Sequence, residues 1–188
     1  MSSRRLWILV CALAASLGLA ACGRESHPTV ADAENDGFYV DAGPITYQLE
    51  VSRQLNQFST EDAQYLTGLP AGTAAPKPNE LWYAVFLWAK NQGSQPARTA
   101  DSFDIVDTQG DKYFPIQLNN SQNPYAWKPL TLAPSATEPG LDTTAIQGPT
   151  QGRLLLFKLN TSVYSNRPLT LQIHAAGQSQ PSTISLDL

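Results

Sequence analysis

The run Glu80–Lys90, read as ELWYAVFLWAK, constrains this chain more than any other feature. In a strand, successive side chains point to opposite faces. Leu81, Tyr83, Val85 and Leu87 then line one face, and Trp82, Ala84, Phe86 and Trp88 line the other. Aromatic and β-branched residues suit a pleated, buried surface, and Asn91-Gln92-Gly93-Ser94 supplies turn chemistry at the end. A sheet in a two-layer sandwich buries only one face in the core. One of the two apolar sets must therefore find cover or a partner elsewhere.

Other segments repeat the period of two. Ile45, Tyr47, Leu49 and Val51 alternate with Thr46, Gln48, Glu50 and Ser52, which predicts a strand with one wet face. Phe103 to Val106 predicts a short strand. Asp107-Thr108-Gln109-Gly110 places Asp and Gly where a type I turn favours them. Lys112 to Leu118 returns as the second arm, with Pro115 marking an edge. Arg153 to Leu159, Leu169 to His174 and Thr183 to Leu188 predict three more strands. Ser59 with Asp62 three residues later predicts one short capped helical turn over 59–66. Short strands separated by turns, with little helix, indicate an antiparallel sandwich. Asn119 to Gly152, rich in Pro, Gly, Asn and Thr, reads as a long loop, and loops of that length tend to be functional.

The N-terminus speaks of export. Arg4 and Arg5 precede an uncharged apolar run from Leu6 to Ala21, shorter than the ~20 residues that span a bilayer comfortably. A basic start, a short apolar core and small residues at its end make a secretory signal. The two cysteines are Cys11, inside that signal, and Cys22, directly after it. Residues 44–188 thus contain no cysteine and depend on their core for stability. Gly23 to Gly43 is polar and aperiodic and reads as a tether, although Phe38, Tyr39 and Val40 suit docking onto the domain. The expected organisation is a signal over 1–21, Cys22 and tether to 43, and one β domain over 44–188.

Charge and composition narrow the function. The chain holds 12 basic and 16 acidic residues, and loss of Arg4 and Arg5 makes the mature part more acidic still. Nucleic acid is a poor partner for such a surface, because nothing clusters to neutralise phosphates. Met1 is the only methionine, and His174 is the only histidine of the β domain, so a copper carrier is not expected. A Ser–His–Asp triad has only His174 available to it, and a histidine at a strand end is more often a satisfied surface residue. Asp101, Asp104, Asp107 and Asp111 form the one acidic cluster, but the sequence lacks the full Ca²⁺-loop pattern and its terminal Glu. A polar hairpin is the expected reading. No cofactor, metal or catalytic residue is expected. A pair of Asp or Glu carboxylates serving an envelope hydrolase on glycan or peptide stays open as the alternative.

Leu19-Ala20-Ala21-Cys22 resembles the bacterial lipobox: apolar, small, small, Cys. The resemblance implies cleavage between Ala21 and Cys22, with the Cys22 thiol carrying a diacylglyceryl group. Paired acyl chains anchor stably where one binds reversibly. Gly23 follows, where an Asp commonly retains lipoproteins at an inner membrane, so a diderm host allows outer-membrane sorting. Further along, Trp82 to Gly93, Phe103 to Gly110 with Tyr113, and Gly152 to Leu159 resemble, in order and spacing, the central strand, hairpin and late strand of bacterial secreted immunoglobulin-like domains. That group is typified by immunoprotective extracellular proteins and by uncharacterised lipoproteins. It implies an all-β, immunoglobulin-like antiparallel β-sandwich on the outer face of a membrane, with no shared catalytic activity. It also implies that Tyr83, Val85 and Leu87 face the core. Trp82, Phe86 and Trp88 then face outward, either as a surface for an envelope protein partner or beneath Phe38–Val40 or the 119–152 loop.

Overall fold

The computed structural model describes the backbone of Asp32–Ala33 and residues 39–186. Twelve strands build it: β1 (Asp32–Ala33), β2 (Tyr39–Ala42), β3 (Ile45–Leu55), β4 (Glu80–Asn91), β5 (Ala97–Arg98), β6 (Ser102–Val106), β7 (Lys112–Tyr113), β8 (Thr131–Leu132), β9 (Thr137–Glu138), β10 (Arg153–Asn160), β11 (Leu169–His174) and β12 (Ser182–Leu186). One large sheet runs β1-β12-β11-β6-β7 and a second β10-β4-β3-β2, with β9 pairing the end of β4, while β5 and β8 form a separate two-stranded ribbon. Apart from the parallel β1–β12 pair, these pairings are antiparallel. The molecule is the all-β antiparallel sandwich that its alternating strands predict.

The expected domain boundary at residue 44 moves forward. Tyr39–Ala42, assigned by sequence to the tether, pairs with β3 from Tyr39↔Gln48 to Ala42↔Ile45. Val40 and Ala42 are buried in the main core, and Asp32 already pairs with Thr183.

The inner faces of the two sheets meet in one core. Tyr47, Tyr83, Val85, Leu87, Phe157 and Ile105 are each fully buried there. Tyr83, Val85 and Leu87 thus face inward as expected.

On β3, the predicted alternation holds only halfway. Leu49 pairs with Leu87, but Val51 pairs with Phe86, so Glu50 is the extra residue of a β-bulge. A one-residue insertion turns the following side chains to the other face. Ile45, Tyr47 and Leu49 enter the main core, whereas Val51 and Leu55 pack on the far side of the sheet. Burial pushes the Glu50 carboxyl above its ordinary pKa.

The hairpin forms as predicted, with Asp107 starting the turn. The Gly110 N–H donates to the Asp107 carbonyl, and φ of +86° makes Gly110 a residue that side chains would strain. Its second arm is shorter than expected, however. Only Lys112–Tyr113 pair with β6, and the Ile116 N–H crosses to the Leu156 carbonyl of the other sheet at 2.7 Å. Tyr113 and Lys112 do lie on the sheet edge.

Candidate functional site

The outer face of β4 is where a partner surface was expected, and it is closed. Trp82 is 3% exposed and Phe86 fully buried. Both lie in a second apolar cluster with Leu55, Tyr65, Ala145 and Leu156. Of the two fates expected for Trp82 and Phe86, an open partner surface or cover by Phe38–Val40 or the 119–152 loop, the structure shows cover, with the 119–152 segment as one part of it. They face away from the main core, but a third layer covers them. Trp88 alone is half-buried, with its ring edge-on to Tyr39 at 6.5 Å.

That covering layer has two parts. The first is α1 (Thr60–Ala63), extended by a 3₁₀ turn, Gln64–Leu66. Its Ser59 makes no side-chain cap, which corrects the capped helix read from sequence. Asp62, 5% exposed, turns instead to the sheet. It accepts from Arg53 Nη2 at 2.6 Å and from the Asn56 N–H at 2.8 Å. Burial works to raise the Asp62 pKa, but these hydrogen bonds and the Arg53 charge outweigh it and hold it below its ordinary value. Tyr65 follows and lies edge-on to Phe86, with ring centroids 5.0 Å apart.

The second part is the long 119–152 segment, which is pinned throughout. Asn123, 1% exposed, donates from Nδ2 to the carbonyls of Tyr65 and Thr67, both at 3.0 Å, and accepts from the Tyr125 N–H. Tyr125 packs edge-on to Tyr65 at 4.9 Å and donates its hydroxyl to Gln64. Ala145, on α2 (Thr144–Gln147), completes the cover. At the far edge, the Trp127 ring enters the core against Phe103 and Tyr47. Its Nε1 donates to the Ala100 carbonyl, while the Ala100 N–H donates to the Tyr47 hydroxyl oxygen at 2.6 Å. Burial drives the Tyr47 phenol up to about 12. Arg153 pairs with the buried Glu138 and donates to the Pro124 carbonyl, tying the start and the middle of the segment to β10. At its close, a Cβ on Gly152 would stand 3.1 Å from the Leu87 N.

The acidic residues disperse. Asp107 accepts the N–H groups of Gln109 and Asp111 and the Asn166 side-chain amide. Burial opposes its ionisation, yet these bonds hold its pKa below the ordinary value. Asp104 lies between Lys112 Nζ at 3.2 Å and the His174 imidazole. Asp101 is exposed and pairs loosely with Arg98 at 3.8 Å. Among the described residues, no group of three or more His, Cys, Asp and Glu is gathered for a metal. His174 is half-exposed and satisfied by Asp104. Ser102 stands opposite it in register, so the three share the outer face of their sheet.

Among the hollows lined by described residues are the following three. One of about 190 Å³ opens between the sheets, with Phe103, Trp127 and Asp101 in its wall. A second, about 380 Å³, is lined by Lys128, Glu138, Asp142, Thr143 and Arg153. A third, also about 380 Å³, lies beside Phe58, Pro76, Glu80 and Trp82. None of these three combines two acidic groups with an aromatic wall, and none is lined by Ser102, Asp104 or His174.

Ala21 and Cys22, with the rest of residues 1–31, lie outside the described residues. No protein-family model matches the chain, and no curated protein matches it in sequence. Solved structures do. The yjhA protein from Bacillus subtilis superposes with a TM-score of 0.52 at 12% identity, covering 82% of this chain and 99% of its own. A protein from the same species described as a "putative lipoprotein" (ycdA) gives 0.48 at 10% identity, over 80% of this chain and 38% of its own. An uncharacterized β-sandwich protein from Clostridium difficile 630 gives 0.43 at 11%, over 88% of this chain and all of its own (100%). The yjhA likeness shows a shared fold and nothing further.

Proposed function

We propose that the chain is a lipoprotein of the cell envelope, anchored through Cys22 on the extracytoplasmic face, whose β-sandwich serves as a non-catalytic binding or structural module. The observation that carries this reading is Leu19-Ala20-Ala21-Cys22 directly behind an export-type apolar run. The fold agrees with it in two ways. Among the described residues the first paired one is Asp32, ten residues after Cys22. No cysteine follows position 22, so the thiol has no structural partner to serve. The non-catalytic part rests on the fate of the chemical groups. The buried carboxylates Asp62, Asp104, Asp107 and Glu138 are each engaged in ion pairs or turn hydrogen bonds that hold the fold.

The test is metabolic labelling with a clickable fatty acid. The natural protein is expected to label in the membrane fraction and the Cys22→Ser variant is not, because serine offers no thiol for the diacylglyceryl group. Equal labelling of the two would end the lipoprotein reading.

A further inference from the structure

The two ends of the sandwich differ in charge, and the chain enters at one of them. β1 runs parallel to β12, with Asp32 beside Thr183 at the start of that strand. β1 therefore begins at the end where β11 finishes and β12 begins. The same end carries the β2–β3 turn, Gly43-Pro44; the segment after β4, Gln92 to Pro96; the β8–β9 link, Ala133 to Ala136; and the β11–β12 link, Ala175 to Pro181. These four connections contain no charged residue. Most of their positions are exposed, including Gly43, Pro44, Ser94, Gln95, Ser135 and Gln178. The nearest charges stand on the adjoining segments, Asp32 of β1 among them. Glu138 is buried with Arg153, Arg98 pairs with Asp101, and Asp41 accepts from Thr46, while Lys90 is half-buried.

This end is also built firmly. Asn91 is fully buried and binds two of the four connections, 92–96 and 133–136, to each other. Its Nδ2 donates to the carbonyls of Gln95 and Leu132, and its Oδ1 accepts from the Gly93 N–H. Its backbone exchanges bonds with Ala136 and Ser135, and the Gln92 N–H donates to the Pro44 carbonyl. The Ser182 hydroxyl adds a bond to the Asp41 carbonyl. The opposite end carries charges of both signs, among them Arg53 with Asp62, Lys77 and Glu80, and Asp107 with Asp111 in the β6–β7 turn.

We infer that the uncharged end, 43–44 with 92–96, 133–136 and 175–181, faces the lipid headgroups of the membrane that holds the chain. This rests on the lipoprotein reading. The span from Cys22 to Asp32 is ten residues, at most about 36 Å of chain. That length begins at the uncharged end, so the anchor draws this end toward the bilayer. Proximity to anionic headgroups within a Debye length, about 8–10 Å, repels an acidic surface. The chain is acidic overall, with a net charge of −4, but the loops at this end carry none of that charge. β4 alone, 12 residues at about 3.3 Å each, sets the charged end roughly 40 Å farther away.

The experiment uses the mature acylated protein in phosphatidylcholine vesicles with 30 mol% phosphatidylglycerol (about that fraction, to give a negative surface) and a headgroup-nitroxide lipid. Single cysteines at exposed Ser94, Gln178, Gln109 and Ser165 carry a bimane label. Quenching is expected to be at least about twofold greater at Ser94 and Gln178 than at Gln109 and Ser165, because a nitroxide quenches only on close approach and the two ends stand roughly 40 Å apart. Equal quenching, or more at Gln109 and Ser165, would overturn the orientation. A second arm combines Gln95→Glu, Ser135→Glu and Gln178→Glu. Quenching at Ser94 should then fall on the anionic vesicles and hold on pure phosphatidylcholine. No fall on the anionic vesicles would mean that this face does not approach the headgroups. Intact mass of the purified protein separates the two readings: an unacylated Cys22 sinks the lipoprotein proposal, whereas an acylated protein without end-to-end contrast sinks only the orientation.

Discussion

The two faces of β4 have nearly the same composition and are covered by different means. Tyr83, Val85 and Leu87 meet the opposite sheet across the sandwich. Trp82, Ala84 and Phe86 meet a layer assembled from α1, the turn after it and the 119–152 segment. The first kind of cover follows from strand periodicity. The second depends on bonds between residues far apart in sequence, such as Asn123 to Tyr65 across 58 positions. An apolar outer face in a sandwich therefore predicts a demand for burial and does not say whether a partner or the chain's own loops meet it.

Paired substitutions on the two faces break that comparison most sharply. Val85→Ser and Phe86→Ser should both destabilise severely. Loss of a buried aromatic costs about 3–5 kcal/mol, and an unpaired hydroxyl adds to it. Since domains hold only ~5–15 kcal/mol in total, urea unfolding should shift to a much lower midpoint in both variants. A folded, wild-type-like Phe86→Ser would mean that the third layer is not closed over β4.

Asp62 tests the layer without touching the apolar residues. Asp62→Asn removes the charge that holds Arg53, and should cost up to about 1.5–3 kcal/mol, the range for hydrogen bonds to charged groups, less what solvent screening of the partly exposed Arg53 takes away. Acid should act in the same direction. The folded-state pKa of Asp62 lies below its unfolded value, so its contribution is present above the unfolded pKa, near 4. It is lost as pH falls through the lower folded value. Hydrogen exchange at residues 59–66 between pH 5 and pH 3 would read this, with the main-core strands as the internal control. Equal acceleration in both regions, or none, would place the acid-sensitive carboxylates elsewhere.

Much of this architecture was legible in the sequence, and the omissions have physical causes. The strands were legible because alternation of apolar and polar residues is local. The 107–110 turn was legible because Asp and Gly have conformational preferences of their own. The Glu50 bulge was not, since nothing local marks a residue left out of the pairing; Val51 looked like the fourth inward residue and in fact faces the third layer. Ser59 looked like a cap, but Asp62 was drawn to Arg53 on β3. Asn91 and Asn123 read as turn residues, whereas both are buried and bind several carbonyl groups. An asparagine's amide satisfies partners from separate segments only after those segments have met.

The Tyr65 ring gives a smaller effect with the opposite sign. It is fully buried between Phe86 and Tyr125, and its hydroxyl finds no hydrogen-bond partner among the described residues. Burial without a partner is costly for a hydroxyl. Tyr65→Phe keeps the ring contacts and should be neutral or stabilising by up to about 1 kcal/mol. A loss of stability in thermal unfolding would show that the hydroxyl has a bonded partner, such as an internal water.

The smallest effect is expected where an aromatic residue truly is open. Phe58 precedes α1 and is 87% exposed, in contrast to Phe86 at 0%. Its ring gains nothing from folding that the unfolded chain lacks, because burial of apolar area is what stabilises. The local turn is held instead by the Phe58 N–H donating to Asn56 Oδ1 at 3.0 Å, a backbone bond that any side chain permits. Phe58→Ser should therefore leave the unfolding midpoint within about 0.5 kcal/mol of the natural chain, the usual range for exposed positions. It should do so in the same experiment in which Phe86→Ser collapses. A large loss at Phe58 would mean that its ring is covered in solution, and that the third layer extends past Asn56 over the hollow beside Pro76 and Trp82.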